Sequence, residues 1–247
     1  MKLRYGNNKL GKYRLMLTNP ALSGSLPPTA LATKANIGAM LAQNRDVYLK
    51  PNTGTGGFGI FKLSRHRNGY RLRNGTQSRY FASFDGAYAA FEKTKGRRAY
   101  LVQQGIPLLH YEGRPFDLRI MIQLNPGRKW EVTGIVGRLG QRHKVVTNYH
   151  NGGKPMPIQQ LLTPYLRERE RTLYVEKLKE LGIRISSHMS RVFPRFPAFG
   201  VDIGIDKQLK PWIIEVNSRP DKYIFNALAD KSMFRRIIQY ARLQRKR

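Results

Sequence analysis

Two stretches near the C-terminus alternate between apolar and polar residues, which is the pattern of half-buried β-strands. The apolar positions are Phe199, Val201, Ile203 and Ile205 in the first stretch and Trp212, Ile214 and Val216 in the second. A turn at residues 206–208 separates them. An antiparallel hairpin centred between Gln208 and Leu209 places Asp202 directly opposite Glu215, with Asn217 as the diagonal neighbour.

These three polar side chains predict a metal site. Directly opposed Cβ atoms are about 5 Å apart, so the carboxylates of Asp202 and Glu215 repel each other unless a cation lies between them. With Asn217 they supply three hard oxygen donors and no Cys or His, which favours Mg²⁺ and allows Mn²⁺. The alternative is a solvated strand face with two unrelated acids. Because the chain has only 15 acidic residues, we favour the metal site.

A glycine-rich loop lies between two further predicted strands. The first runs from Asp46 to Lys50, and the second begins at Ile60. Glycine lets backbone N–H groups approach phosphate oxygens without a Cβ clash, and Lys50 and Lys62 add positive charge. The loop therefore predicts a nucleotide-phosphate site, although an ordinary glycine-rich hairpin fits about equally well. Its residues are Gly54, Thr55, Gly56, Gly57 and Gly59.

The surrounding sequence excludes three familiar nucleotide motifs. The glycines match GxGxxG, but a dinucleotide fold needs a helix next, and residues 60–65 continue as strand. The Gly-Lys-Ser/Thr of a Walker A loop is absent, and no HRD or DFG motif of a protein kinase follows. What remains is a strand–loop–strand flap over a nucleoside triphosphate.

A further strand, Phe116 to Gln123, carries Asp117 and Arg119 two residues apart on its polar face. Such a pair could contact a phosphate or a substrate carboxylate, and a cross-strand salt bridge on a solvated face fits equally well. Arg138 ends the next strand and reads from sequence alone as a surface arginine. Asn148 precedes a Gly-Gly pair, where its amide could ligate metal or cap the turn.

The coarse pattern indicates an α+β protein. Ser83 is the predicted N-cap of one helix and Gly96 its stop. The predicted helices are Thr33–Asn44, Phe84–Lys95, Pro164–Val192 and Asn226–Gln244, and a hairpin covers Tyr70–Phe81.

The net charge of +30, from 45 Lys and Arg against 15 Asp and Glu, adds a competing function. Such a charge attracts polyanions, so nonspecific polyanion binding is expected and nucleic-acid binding stays an alternative. No cysteine is present, which excludes disulfides and thiolate chemistry. No apolar run suggests a signal peptide or a membrane span, so we expect a cytoplasmic protein.

Several segments together resemble the ATP-grasp superfamily. In the residues of these segments, the chain looks most like the YheC/YheD-type proteins associated with bacterial endospores. The resemblance covers about residues 34–225. It is carried by the LKP and glycine-loop segment, LVQQGIPLL, FDLRIMIQ, TNYHNGG and VDIGID…WIIEVNSRP, at Leu49–Gly59, Leu101–Leu109, Phe116–Gln123, Thr147–Gly153 and residues 201–220.

The resemblance implies two lobes with mainly antiparallel sheets that enclose a nucleotide site. On this basis we expect an N-terminal extension at residues 1–33 and a small lobe with the glycine-rich loop at 34–104. A large lobe with the metal site and a C-terminal helix follows at 105–247. Few residues precede Lys50, so a full extra N-terminal domain is not expected, and the upstream phosphate contact is Lys12 or Lys34.

The resemblance also implies an activity. ATP-grasp enzymes join a carboxylate to an amine through an acylphosphate, using ATP and Mg²⁺. Here the carboxylate and amine are unknown and could be acidic or polymeric, and spore association is implied. A noncatalytic, nucleotide-binding structural spore protein is the alternative.

By the same resemblance, Lys50 contacts the α- and β-phosphates, and Arg119 and Arg138 stabilise the transferred group. Asp117 and Asn148 are candidate substrate or phosphate contacts. The interlobe hinge that holds adenine is Gln103, Gln104, Gly105 and Ile106, and the metal ligands are Asp202, Glu215 and Asn217.

Overall fold

The structure is a computed structural model that describes residues 5–54, 56–141, 145 and 152–245. Its helices are α1 (Lys9–Leu17), α2 (Pro20–Ser23), α3 (Lys34–Gln43), α4 (Phe84–Lys95), α5 (Ile158–Leu162), α6 (Glu168–Ser190) and α7 (Ser232–Arg245), with a 3₁₀ helix at Tyr223–Ala227. Its strands are β1 (Thr29–Leu31), β2 (Asp46–Pro51), β3 (Phe61–His66), β4 (Gly69–Asn74), β5 (Gln77–Phe81), β6 (Tyr100–Gln104), β7 (His110–Tyr111), β8 (Arg114–Leu124), β9 (Trp130–Leu139), β10 (Lys154–Met156), β11 (Ala198–Ile205) and β12 (Pro211–Asn217).

The first sheet has the strand order β1-β6-β2-β3-β4-β5, and every pairing in it is antiparallel. Helices α3 and α4 contact it, because alternate strand residues present an apolar face to them. The opposite face carries polar side chains. The buried core between sheet and helices includes Ile37, Val47, Leu49, Phe61, Leu63 and Phe91.

The second sheet has the order β10-β9-β8-β11-β12, with β7 paired to β8. Helix α6 packs on this sheet through the stripe Val175, Leu178, Leu181, Ile185 and Met189. The 3₁₀ helix and α7 contact β9, where Phe225 and Ile237 join a smaller buried cluster. No described helix is both long and apolar enough to cross a membrane.

The N-terminal segment contributes to both halves of the molecule. Strand β1 pairs with β6 at the edge of the first sheet. Leu15, Met16 and Leu22 from α1 and α2 instead belong to the core of the second sheet. The proposed boundaries at residues 33 and 104 stay predictions, but residues 5–33 pack as part of the fold.

Several helix predictions are confirmed, and others need correction. Helix α4 has the predicted bounds, since the Ser83 hydroxyl accepts from the Gly86 N–H at 3.2 Å. The long helix begins at Glu168 rather than Pro164, and Leu173 on it is exposed. The last helix begins at Ser232, not Asn226, because a 3₁₀ turn comes first and the Asp230 carboxylate accepts from the Ser232 N–H at 2.8 Å.

Candidate functional site

A cleft of about 830 Å³ lies between the two sheets, with the glycine-rich loop along one side. Its volume is that of a small-molecule or cofactor site. Most of the predicted site residues line it: Lys50, Gly54, Gly56, Gly57, Lys62, Gln103, Gln104, Ile106, Asp117, Arg119, Arg138, Asp202, Glu215 and Asn217.

Four predicted site residues do not join this set. Thr55 and Asn148 lie outside the described residues. Gly59 and Gly105 do not line the cleft. The carbonyl of Gly59 accepts from the Tyr100 hydroxyl at 2.9 Å, and a Cβ at Gly105 would lie 2.7 Å from the Asp46 carbonyl oxygen, so close backbone approach requires glycine there.

The β11–β12 hairpin has the register expected from sequence at the end that faces the cleft. Asp202 pairs with Glu215, and Gly200 pairs with Asn217. The register shifts by one residue just after Asp202, so the remainder of the hairpin departs from the regular pairing. Asp202 is only 3% exposed, which rules out a solvated strand face at this position.

Strand β11 lies between β12 and β8, and its second neighbour gives Asp202 a cationic partner. Arg119 is the residue directly opposite on β8. Its Nε and Nη2 donate to the two carboxylate oxygens at 2.5 and 3.1 Å. Arg138 on β9 brings its Nη2 within 3.2 Å of Oδ2 of the same carboxylate.

Arg138 is itself held by Asp117, the residue opposite it on β8. Nε and Nη2 of Arg138 donate to the two Asp117 oxygens at 2.7 and 2.6 Å. Two aspartates and two arginines thus form a buried chain of alternating charge at the cleft wall, in which each arginine makes a bidentate contact. We call Asp117, Arg119, Arg138 and Asp202 the charge quartet.

The quartet corrects two expectations from sequence. Arg138 is 3% exposed and is not a surface arginine, and Asp117 and Arg119 do not lie on a solvated face. Helices α6 and α7 pack on β8, and strands β9 and β11 flank it. These contacts come from distant parts of the chain, so the local sequence pattern could not show the burial.

The pKa values of the quartet follow from its pairing. Burial raises the pKa of Asp202, but the guanidiniums of Arg119 and Arg138 outweigh burial and hold that pKa below its usual range. Burial lowers the pKa of Arg138, and the carboxylates of Asp117 and Asp202 reverse this and raise the pKa above its usual value. Asp202 and Arg138 are therefore charged at neutral pH, which presents fixed negative and positive charge to the cleft.

The two carboxylates expected as metal ligands lie on paired residues, but both already have cationic partners. Glu215 Oε1 lies 3.2 Å from Lys9 Nζ, and the oxygens of Asp202 bond to arginines. No group of three or more His, Cys, Asp and Glu among the described residues is arranged to hold a metal ion. A divalent ion here would need Asn217, oxygens of a bound phosphate and displacement of Lys9. Mg²⁺ is commonly held in this way, by one or two carboxylates together with substrate phosphates.

Lys50 extends from β2 toward the quartet, at the base of the glycine-rich loop. Its Nζ donates to Gln103 Oε1 at 2.5 Å, and Gln103 Nε2 donates in turn to the Thr29 hydroxyl at 3.0 Å. Burial lowers the pKa of Lys50 to about 8, and the nearby carboxylate of Glu215 partly opposes this. Among the described residues, no carboxylate forms an ion pair with Lys50, so a phosphate group beside its ammonium could take that place.

Of the residues predicted as the hinge, Gln103 and Gln104 end β6, and Gly105 and Ile106 begin the segment 105–109 that connects β6 of the first sheet to β7 and β8 of the second. The Gln104 N–H donates to the Pro28 carbonyl at 3.0 Å, and the Gly105 N–H donates to the Asp46 carbonyl at 2.9 Å. Its first residues are therefore fixed by backbone hydrogen bonds.

Sequence reasoning missed Lys9, which reaches the cleft from the first turn of α1. Besides Glu215, its Nζ contacts the carbonyl of Gly54 at 2.8 Å. The two upstream lysines proposed from sequence are elsewhere. Lys12 is buried and donates to the Val216 carbonyl at 2.7 Å, and Lys34 pairs with Asp85 on the outside. No motif marks Lys9. It is placed by the docking of α1 on the second sheet.

Known proteins resemble this chain in sequence. A family model described as YheC/D like ATP-grasp matches residues 4–243. The chain is 30% identical over 226 residues to the endospore coat-associated protein YheD of Bacillus subtilis (strain 168). The aligned region covers 89% of this chain and 49% of that protein. It is 20% identical over 190 residues to the endospore coat-associated protein YheC of the same organism. That aligned region covers 75% of this chain and 52% of YheC. The chain spans about half the length of these curated relatives.

A solved structure resembles the fold. It is the ADP complex of purK, N5-carboxyaminoimidazole ribonucleotide synthetase, with a TM-score of 0.57 over 94% of this chain and 50% of that one. At 12% identity this likeness concerns the fold alone. Fold and sequence agree, and the chain belongs to the YheC/D-like ATP-grasp family, with the α+β ATP-grasp fold of two mainly antiparallel sheets around a cleft.

Proposed function

We propose that the cleft binds ATP with Mg²⁺ and that the protein is a carboxylate–amine ligase that works through an acylphosphate. One observation carries this proposal. A lysine at the base of a glycine-rich loop faces, across a single cleft, two buried arginines that aspartates hold in fixed positions.

The phosphates of ATP fit the side of the cleft that contains Lys50 and the loop. Gly54, Gly56 and Gly57 have φ values of 110°, 74° and 78°, which glycine adopts without strain. Such a loop can turn its N–H groups toward phosphate oxygens. Adenine would lie at the hinge beside Ile106, with Ile214 from β12 lining the same cleft.

The carboxylate end of the β11–β12 hairpin fits Mg²⁺. Asp202, Glu215 and Asn217 would hold it together with the phosphates, and the bound ion would offset negative charge on the transferred phosphoryl group. Lys9 would then exchange its contact with Glu215 for one with phosphate.

The charge quartet fits the reacting end of the site. A substrate carboxylate oxygen would bond to the γ-phosphorus as the bond to ADP breaks, and an amine would then displace phosphate from the acyl carbon. Both steps concentrate negative charge on oxygen. Arg119 and Arg138 are already oriented by Asp202 and Asp117, so they can stabilise that charge with little reorganisation.

Two measurements test the proposal. Saturating ATP with Mg²⁺ should raise the melting temperature, and at about 100 times the dissociation constant the stabilisation should approach 2.7 kcal/mol. An ADP-release screen against amino acids, acidic peptides and cell-wall precursors should then find a carboxylate–amine pair. An unchanged melting temperature would contradict the nucleotide site itself.

A second candidate function has its own support. The relatives YheD and YheC are described as endospore coat-associated proteins. A nucleotide-binding protein of the spore without turnover would show ATP stabilisation but no ADP release with any acceptor. Those two outcomes separate the candidates.

A further inference from the structure

The β4–β5 hairpin forms the outer part of the cleft wall, beyond the strands that carry the two predicted phosphate-binding lysines. Lys62 on β3 pairs with Arg73 on β4, and Arg73 pairs with Ser78 on β5. Two residues along the strands, on the same face of the sheet, Arg71 pairs with Tyr80. We call Arg71, Arg73 and Tyr80 the outer wall; all three line the cleft.

Among the described residues, Arg71 lacks the carboxylate partner that several other cations of the cleft have. Lys9, Lys62 and Arg114 each pair with a carboxylate, as do both arginines of the quartet. In the described part of the chain, no ion pair involves Arg71. Its Nη1 donates to the Tyr80 hydroxyl at 3.3 Å, and its guanidinium carbon lies 5.9 Å from the centre of that ring.

The Nε atom of Arg71 is buried and has no hydrogen-bond partner among the described residues. A cationic side chain whose donors are not all used gains a hydrogen-bonded charge pair when an anion binds beside it. The guanidinium lies within cation–π range of the Tyr80 ring, and its planar group of donors matches a carboxylate.

Strand β5 adds a second feature to the same wall. It ends the first sheet, and its residues Gln77–Tyr80 are exposed. No described strand pairs with the outer edge of β5, and such an edge can pair with an extended peptide through main-chain hydrogen bonds. Side chains of that peptide would alternate between the cleft face, which carries Arg71 and Arg73, and the opposite face.

We propose that the outer wall binds an acidic peptide, extended along β5, whose carboxylates pair with Arg71 and Arg73. The proposal rests on the proposed function for its role, because such a peptide would be the acceptor that presents a carboxylate to the quartet. The net charge of +30 would also concentrate an acidic partner near the cleft.

A single-stranded nucleic acid is the other polyanion to consider, and the wall suits it less well. Sequence-tolerant nucleic-acid binding uses a series of aromatic side chains on which successive bases stack. Tyr80 is the only aromatic residue of the outer wall, and Arg71 lies over its ring. A free strand edge matches a peptide backbone, not a sugar–phosphate backbone.

Fluorescence anisotropy with labelled hexaglutamate tests the proposal on the full chain, without ATP and at fixed ionic strength. Arg71→Gln should weaken binding about tenfold, the loss of one hydrogen-bonded charge pair. Arg195→Gln is the matched control. It removes the same charge from an exposed arginine that also lies over an aromatic ring, that of Phe196, but Arg195 lies between α6 and β11 and does not line the cleft. We expect less than about a twofold change for it.

Arg73→Gln is the second variant on the same wall and should also weaken binding more than Arg195→Gln, so the result does not depend on one substitution. Equal losses for Arg71→Gln and Arg195→Gln, or no loss for either, would overturn the proposal. So would tight binding of hexaglutamine, or an oligothymidine that binds more tightly than hexaglutamate and loses affinity in Arg71→Gln. Failure of ATP to stabilise the protein would instead refute the proposed function and leave the peptide measurement to stand alone.

Discussion

Arg119 and Asp202 face each other across neighbouring strands and form a bidentate ion pair beneath the cleft. Residues 117–123 of β8 pair with residues 198–204 of β11, so the backbone positions of Arg119 and Asp202 are fixed relative to each other by the sheet. The second pair, Asp117 with Arg138, is built in the same way across β8 and β9. The quartet is thus as rigid as the sheet that carries it.

Loss of one partner should therefore destabilise the fold. Asp117→Asn leaves Asp202 as the one carboxylate of the quartet for two buried arginines, and breaking a buried pair from one side costs about 3–5 kcal/mol. Urea denaturation should show a loss of that size in the free energy of unfolding. A loss below about 1 kcal/mol would mean that water reaches Arg138 and replaces the missing charge.

Glu215→Gln should behave in the opposite way. Its carboxylate is 21% exposed and pairs only with Lys9 in the described structure, so the fold should lose less than about 1 kcal/mol. Mg²⁺-dependent ADP release should be abolished, because the proposed metal site loses one of its ligands. A variant that unfolds, or that keeps full turnover, would contradict the metal role.

Lys50→Ala should weaken the binding of ATP more than the binding of adenosine. A hydrogen bond to a charged group contributes about 1.5–3 kcal/mol, and only ATP carries the phosphates that Lys50 would contact. Isothermal titration of both ligands gives the comparison. If the two affinities fall equally, Lys50 acts on the shape of the site rather than on phosphate.

The affinity for ATP should also depend on pH through Lys50, whose pKa burial lowers to about 8. The ammonium is charged below that pH and loses its proton above it, so affinity should fall between about pH 8 and 9.5, by up to about tenfold per unit. Lys50→Arg stays charged over this range. Its affinity should therefore not change with pH, even if it is weaker throughout.

The sequence predicted local features well and long-range ones poorly. The bounds of α4 followed from Ser83 and Gly96, and the pairing of Asp202 with Glu215 followed from strand alternation and one turn. It did not predict that β8 lies on the other side of β11, because that pairing joins residues 83 positions apart. The buried position of the quartet and the contact of Lys9 both depend on such distant pairings.

Lys9 should restrain the glycine-rich loop when no nucleotide is bound. Lys9→Met removes its bond to the Gly54 carbonyl, and loss of about 1 kcal/mol should raise hydrogen–deuterium exchange of residues 52–60 about fivefold. Lys34→Met is the control, since Lys34 pairs with Asp85 away from the cleft. Equal exchange in both variants would show that the loop is held by other contacts.

The packing of α1 has a consequence for how the chain is made. The His188 Nε2 atom lies 2.9 Å from the Leu15 carbonyl oxygen, a contact between residues 173 positions apart, and the side chain of Leu15 is buried in the core that α6 helps to form. Ribosomes deliver the N-terminus first. The opening helix, which supplies Lys9 to the cleft, must therefore wait for α6 to emerge before it can dock. Assembly of the cleft is then a late event in biosynthesis, and a nascent chain that stalls before α6 is made would carry an undocked α1 and an incomplete site.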